Sequence, residues 1–202
     1  GSAEAAFERA LDLVIDGIGG GIRGMSRAFE KAIDMMAQVR YDRSNPRPQV
    51  LIVGEYLLNF HPGANHNIEQ YLENNGFEII EARMTDVIRK TYFYKHAQDK
   101  EYDIDKPLDY RFNNAISDSF FELAHDNCDR IARRHPLYER PARLPELVEA
   151  SDNIIHHTFD AGEGVLIPGE ILHHAARGCR SFVILQPFGC LPNHVVGRGI
   201  AK

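Results

Sequence analysis

The sequence predicts an α/β fold, a Rossmann-like parallel sheet flanked by helices, with an N-terminal helical hairpin ahead of it. Three observations carry that expectation. Apolar residues recur at three- and four-residue steps from Phe7 to Val39. A short apolar run at 49–54 is followed by a helical pattern and a second apolar run from Phe77. The same alternation of short apolar runs and helical stretches returns between Asn153 and Leu185. The expected division is a hairpin and linker over 1–47 and an α/β domain over 48–202, read as truncated because the segment from Gly199 resembles the start of a helix.

Taken in order, Phe7, Leu11, Val14, Ile15 and Ile18, then Met25, Ala28, Phe29, Ile33 and Met36, mark an amphipathic pattern. Glycines 17, 19, 20, 21 and 24 interrupt it. Each costs about 1 kcal/mol relative to alanine inside a helix, so the pattern should break into a hairpin or a kinked pair. YDRSNPRP at 41–48 reads as a linker.

Gln49 to Gly54, bounded by Pro48, reads as a strand buried on both faces, and a helix from about Asn65 to Asn75 follows, ended by Gly76. FEIIEA from Phe77 is the second strand, parallel to the first. Residues 91–111 lack a clean period and read as an irregular insertion. Asn113 to Arg134 predicts a long helix and Leu144 to Ala150 a shorter one. Asn153 to Phe159 is expected as a third strand, Leu166 to Arg177 as a helix with Pro168 in its first turn, and Ser181 to Leu185 as a fourth strand.

Composition narrows the function classes. With 23 Lys+Arg against 29 Asp+Glu the net charge is −6, which provides no electrostatic footprint for nucleic acid. Apolar runs such as VLIVG at 50–54 fall far short of the roughly 20 residues that cross a bilayer. Cys128, Cys179 and Cys190 have no paired spacing, which argues against a disulfide framework. A soluble, cytoplasmic protein is expected.

Three polar clusters are expected at the carboxyl ends of the strands, where open parallel sheets bind ligands: GEYLLNFHPGAN at 54–65, AGEGVLIPGE at 161–170 and QPFGCLPNH at 186–194. Cys190 is the sharpest residue, held between Gly189 and Pro192 on a turn before a helix start. Such a position lowers a thiol pKa and suits a metal ligand or a nucleophile; the alternative is a buried, inert cysteine. Glu55 and Glu163 could accept ligand hydrogen bonds or act as bases, or simply be solvated. The literal G-x-G-x-x-G of Gly19, Gly21 and Gly24 follows a helical pattern, not a strand, and reads as a chance match.

His194, four residues after Cys190, opens a further reading as a mononuclear metal site, with His156, His157, His173 and His174 supplying other imidazoles. Adjacent side chains on a helix or strand point in different directions, so at most one histidine of each pair is expected to join.

PQVLIVGEYLLNFHPGANHNIEQYLENNGFEI at 48–79 has an apolar strand, Gly-Glu, then Phe-x-Pro-x-Ala-Asn and a helix ending in Gly. With GEGVLIPGEI and SFVILQPFGCLPNHVVGRG, it resembles the activase-related, benzoyl-CoA-reductase-like branch of the 2-hydroxyacyl-CoA dehydratase superfamily, over roughly residues 40–202. The resemblance implies an iron-sulfur protein in which Cys190 supplies one ligand to a 4Fe-4S type cluster and the other cysteines lie outside this chain. It implies cofactor-binding roles for Glu55, Asn59, Asn65, Glu163, Gln186, Phe188, Gly189, Asn193 and His194. Pro62, Gly164, Pro168 and Glu170 also match.

In this family an ATP-hydrolysing activator delivers low-potential electrons, which in the dehydratases form a ketyl radical from an acyl-CoA thioester. The implied partners are the rest of the same polypeptide, an activator domain, an acyl-CoA or other small substrate, and a second copy of the chain in a homodimer. Catalysis by this segment alone is not expected. The competing reading is a non-catalytic α/β module that binds a ligand or partner and uses Cys190 structurally.

Overall fold

The structure is a computed structural model that describes residues 2–42, 44–159 and 161–199. Of the segment 199–202, expected to open a helix, only Gly199 is among the described residues, and it is helical. The chain forms two compact units, Gly1–Asn45 with Ser119–Arg140, and Pro46–Asp118 with Pro141–Lys202. Residues 119–140, beyond the boundary expected at 47, thus group with the hairpin.

In the first unit α1 (Ser2–Ile18) and α2 (Gly21–Met36) pack as the expected hairpin. The turn falls at Gly19 and Gly20. Gly17 remains helical and serves the packing: a Cβ there would sit 2.4 Å from the Ala28 Cβ, so only glycine allows this crossing. Arg134 reaches Asp34 at 2.6 Å and Asn127 donates to Ser26 at 3.0 Å, tying 119–140 to α2.

The second unit is α/β, built on a three-stranded parallel sheet in the order β2-β1-β3. β1 (Gln49–Gly54) is central, paired in parallel with β2 (Glu78–Glu81) and β3 (Ser181–Leu185). Side chains alternate across it: Leu51 and Val53 join Ile167, Cys179 and Val196 on one face, while Val50 and Ile52 pack with Leu72 on the other. Burial of each such side chain contributes about 1.5–3 kcal/mol. A further cluster gathers Tyr94, Leu144, Leu147, Val165 and Leu166.

Between β1 and β2 the chain forms α3 (Tyr56–Phe60), α4 (Pro62–Asn65) and α5 (Ile68–Asn74) rather than one helix from Asn65. His61 caps α4, and the left-handed His66 and Asn67 separate α4 from α5. α6 (Met84–Glu101) and α7 (Leu108–Ala132) occupy most of 91–111, so that stretch is not an irregular insertion. The period was hidden because α6 buries Asp86, Arg89 and Lys90 as well as Tyr94, and Arg89 is ion-paired with Asp118 at 2.7 Å.

α8 (Leu144–Ser151) and α9 (Leu166–Ala176) pack together, and Asn153–Phe159 between them is not a strand. The Ser151 carbonyl accepts from Ile154 and Ile155 N–H at 2.8 and 2.9 Å, closing turns that drop Ile155 and Phe159 onto the core. The sheet therefore has three strands where four were expected. A π-helix (Asn193–Arg198) precedes Gly199, the last described residue, and among the described residues no helix is long and apolar enough to cross a membrane.

Candidate functional site

Strand order locates the site. The chain leaves central β1 toward β2 on one side, while β3 lies on the other, so the carboxyl ends of β1 and β3 flank a topological switch point. Gly54 ends β1 opposite Leu185 of β3. With φ +150° and an added Cβ only 2.0 Å from the Leu185 carbonyl oxygen, this position accepts glycine alone. Glu55 N–H then donates to that same oxygen at 2.8 Å, closing the strand ends together.

Glu55 caps α3, its Oε2 accepting from Leu58 N–H at 3.0 Å. The Gly162 turn, at φ +49°, brings the next loop so close to Pro192 that an added Cβ would lie 2.9 Å from its Cγ. That approach sets Glu163 between two neighbours. Its Oε1 accepts from Tyr56 N–H at 3.2 Å, and its Oε2 accepts from the Asn193 side-chain amide at 3.3 Å. The same Asn193 Nδ2 donates to Cys190 Sγ at 3.2 Å. Glu163, Asn193 and Cys190 thus form one chain of contacts across two loops.

Asn193 is fully buried, and its Oδ1 has no hydrogen-bond partner. Cys190 is half-buried just ahead of the terminal helical turn, whose His194 N–H donates to the Cys190 carbonyl at 2.9 Å. Inserted π turns are frequent at functional sites, and here one follows the cysteine directly.

Beside this chain lies a narrow crevice of about 20 Å³, room for about one water molecule, walled by Tyr56, Asn59, Asp86, Glu163 and Glu170 among others. Asn59 is 4% exposed, and its buried Oδ1 has no partner. Glu170, 6% exposed, meets His174 Nε2 at 3.3 Å. Glu163 therefore links the cleft to the cysteine.

The structure brings Glu163, Asn193 and Cys190 into contact, puts Asn59 in the cleft wall and gives Glu55 a capping role. Asn65 is occupied locally, donating to Glu69 at 2.9 Å and accepting from Ile68 N–H at 3.4 Å. Gln186 has a buried Oε1 without a partner. Gly189 turns the chain at φ +80° and leaves Phe188 fully exposed, while His194 also stands in solvent.

Sequence reasoning missed Asp86, 2% exposed in the first turn of α6, because that helix itself was not expected to begin there. It also limited each histidine pair to one possible ligand. His173 and His174 on α9 meet edge-to-face with ring centroids 5.3 Å apart; burial, then the nearby Arg177 and His174, lowers the His173 pKa. His156 and His157 do not diverge: their rings stack at 4.2 Å and both reach Glu101. This pair lies in a turn rather than on a helix or strand, so its side chains do not point to opposite sides as adjacent residues in regular elements do.

Comparison with protein-family models, with curated proteins and with solved structures found no match to this chain.

Proposed function

We propose that the α/β unit presents Cys190 as one ligand of a 4Fe-4S type cluster completed by cysteines outside these 202 residues, in a cytoplasmic protein akin to the 2-hydroxyacyl-CoA dehydratases and their activase-related proteins. The observation that carries the reading is the contact chain: a half-exposed sulfur accepts a hydrogen bond from the fully buried Asn193 amide, itself held by Glu163. Hydrogen bonds to sulfur tune cluster potential, and supporting residues fix a ligand's direction.

The other thiols do not complete a set with it. Cys179 is buried at the amino end of β3, and Cys128 belongs to the hairpin unit, on α7. One thiolate ligand fits this site, so the remaining ligands must come from elsewhere. When bound, the cluster would supply single low-potential electrons driven by an ATP-hydrolysing activator. Asn193 and Glu163 act as positioning residues, and an acyl-CoA or other small substrate would approach the cluster from the open carboxyl ends of the strands, beside the crevice walled by Asn59, Asp86 and Glu170.

The test is anaerobic reconstitution, with iron and sulfide, of the polypeptide that carries the partner cysteines. A 4Fe-4S absorption and EPR signature should form, be lost or converted in Cys190→Ala, and persist in Cys179→Ala. A spectrum unchanged in Cys190→Ala overturns the proposal, as does failure of any cluster to form.

A further inference from the structure

The C-terminal end of α6 and the turn after α8 meet away from the cleft residues. Glu101 Oε1 lies 3.9 Å from His156 Nε2, and Glu101 Oε2 lies 3.7 Å from His157 Nε2. One donor atom from each of the three residues falls within 4.8 Å of the others. We propose that Glu101, His156 and His157 bind one divalent transition-metal ion of the zinc and cobalt(II) class.

The remaining ring nitrogens make the case stronger than proximity alone. His157 Nδ1 lies 2.8 Å from Asp152 Oδ1, an acceptor-only group, so that nitrogen carries the proton and Nε2 holds the free lone pair. Metal-bound histidines are held in this way by carboxylates. His156 Nδ1 is 2.9 Å from Thr158 Oγ1 and accepts from the Thr158 main-chain N–H at 3.4 Å, so metal binding at Nε2 moves the ring proton to Nδ1, where Thr158 Oγ1 can accept it.

The turn is in turn clamped by α6. Gln98 Nε2 donates to the Thr158 carbonyl at 3.0 Å, and Tyr102 Oη meets Thr158 Oγ1 at 2.8 Å. The two stacked imidazoles, 28° apart, hold both Nε2 atoms beside one carboxylate, and ligation of a common ion turns the rings out of the stack so that their in-plane lone pairs converge. A tetrahedron with bonds of roughly 2.1 Å has edges of roughly 3.4 Å, so donors that lie within 4.8 Å of one another close on an ion by shifts of up to about 1.4 Å, within reach of rotations of exposed side chains. Imidazole and carboxylate together suit zinc and cobalt(II), and three protein donors leave a coordination position to solvent.

The site uses none of the Cys190 residues and stands or falls without them. The experiment titrates cobalt(II) into protein purified without metal-affinity media and stripped with a chelator, in a Cys190→Ala background. One cobalt(II) per chain should bind with a Kd on the order of 10 μM or tighter, with visible d–d absorption, and zinc should displace it. His156→Ala and His157→Ala should each weaken binding at least about 10-fold, and Asp152→Asn about 10-fold through loss of its hold on His157.

These side chains are 27 to 56% exposed, so the variants should keep the wild-type circular dichroism. Imidazole nitrogen NMR provides a second reading: zinc should shift His156 and His157 Nε2 and leave His173 unchanged. No binding below millimolar cobalt, affinity indifferent to both histidine substitutions, or shifts confined to other histidines would each overturn the site and mark the cluster as a solvated ion pair.

Discussion

The two ends of β3 carry one cysteine each, and they are built in opposite ways. At the amino end Cys179 is 4% exposed, its S–H donating to the Ser181 carbonyl at 3.4 Å and more distantly to Gln49 at 3.8 Å. At the carboxyl end Cys190 is half-exposed and its sulfur is an acceptor, taking a hydrogen bond from Asn193. A buried donor thiol is packing; a half-exposed sulfur that accepts an amide N–H is held in place while open to reagents. The difference comes from chain direction, because parallel strands send their amino ends into helix connections and open their carboxyl ends to loops.

The largest expected effect tests that contrast directly. In the folded protein Cys190 should alkylate with iodoacetamide at least about 10³-fold faster than Cys179, which must wait for an opening event limited by the stability of the unit. Peptide mass spectrometry separates the sites, with the exposed Cys128 as an internal reference. Comparable rates at Cys179 and Cys190 would dissolve the distinction between the two ends.

Next in size is Asn193→Ala. It removes the amide that joins Glu163 to the sulfur and empties a fully buried position, so the urea midpoint should fall by the equivalent of about 1–3 kcal/mol. The Cys190 alkylation rate should change with it while that of Cys128 stays constant. An unchanged Cys190 rate would show that Asn193 supports the loop without acting on the sulfur.

Much of the closed end was legible in the sequence and only part of the open one. Apolar runs at 49–54 and 181–185 gave two of the strands because a buried parallel strand needs little else. The failed third strand at 153–159 has similar composition, but its backbone bonds go to Ser151 and not to a neighbouring strand, a choice no local pattern encodes. α6 stayed hidden because its buried face includes charges whose partners are distant in sequence, Arg89 with Asp118 among them. Cys190 was legible from its Gly and Pro neighbours. Its contact with Asn193 was not, since that depends on how the terminal turn is wound. The histidine pairs differ for the same reason: on α9 helical geometry sets the two rings edge-to-face, whereas the turn at 156–157 stacks them.

The smallest expected effect belongs to the helix that leads into the closed end. His173 on α9 has a buried Nε2 with no hydrogen-bond partner, and burial holds its pKa below the ordinary imidazole value of 6.5. Between that folded value and 6.5 the unfolded chain binds more protons than the folded one, so stability rises with pH across this window. Acidification from pH 7 should therefore lower the urea midpoint progressively once pH falls below 6.5, until His173 is protonated in the folded state as well. His173→Gln removes this proton and should flatten that part of the profile, leaving the Cys190 alkylation rate at a fixed pH unchanged. A wild-type and variant difference that does not vary between pH 5 and 7 would mean that the imidazole is solvated, and that the amino end of the sheet is less closed than Cys179 makes it.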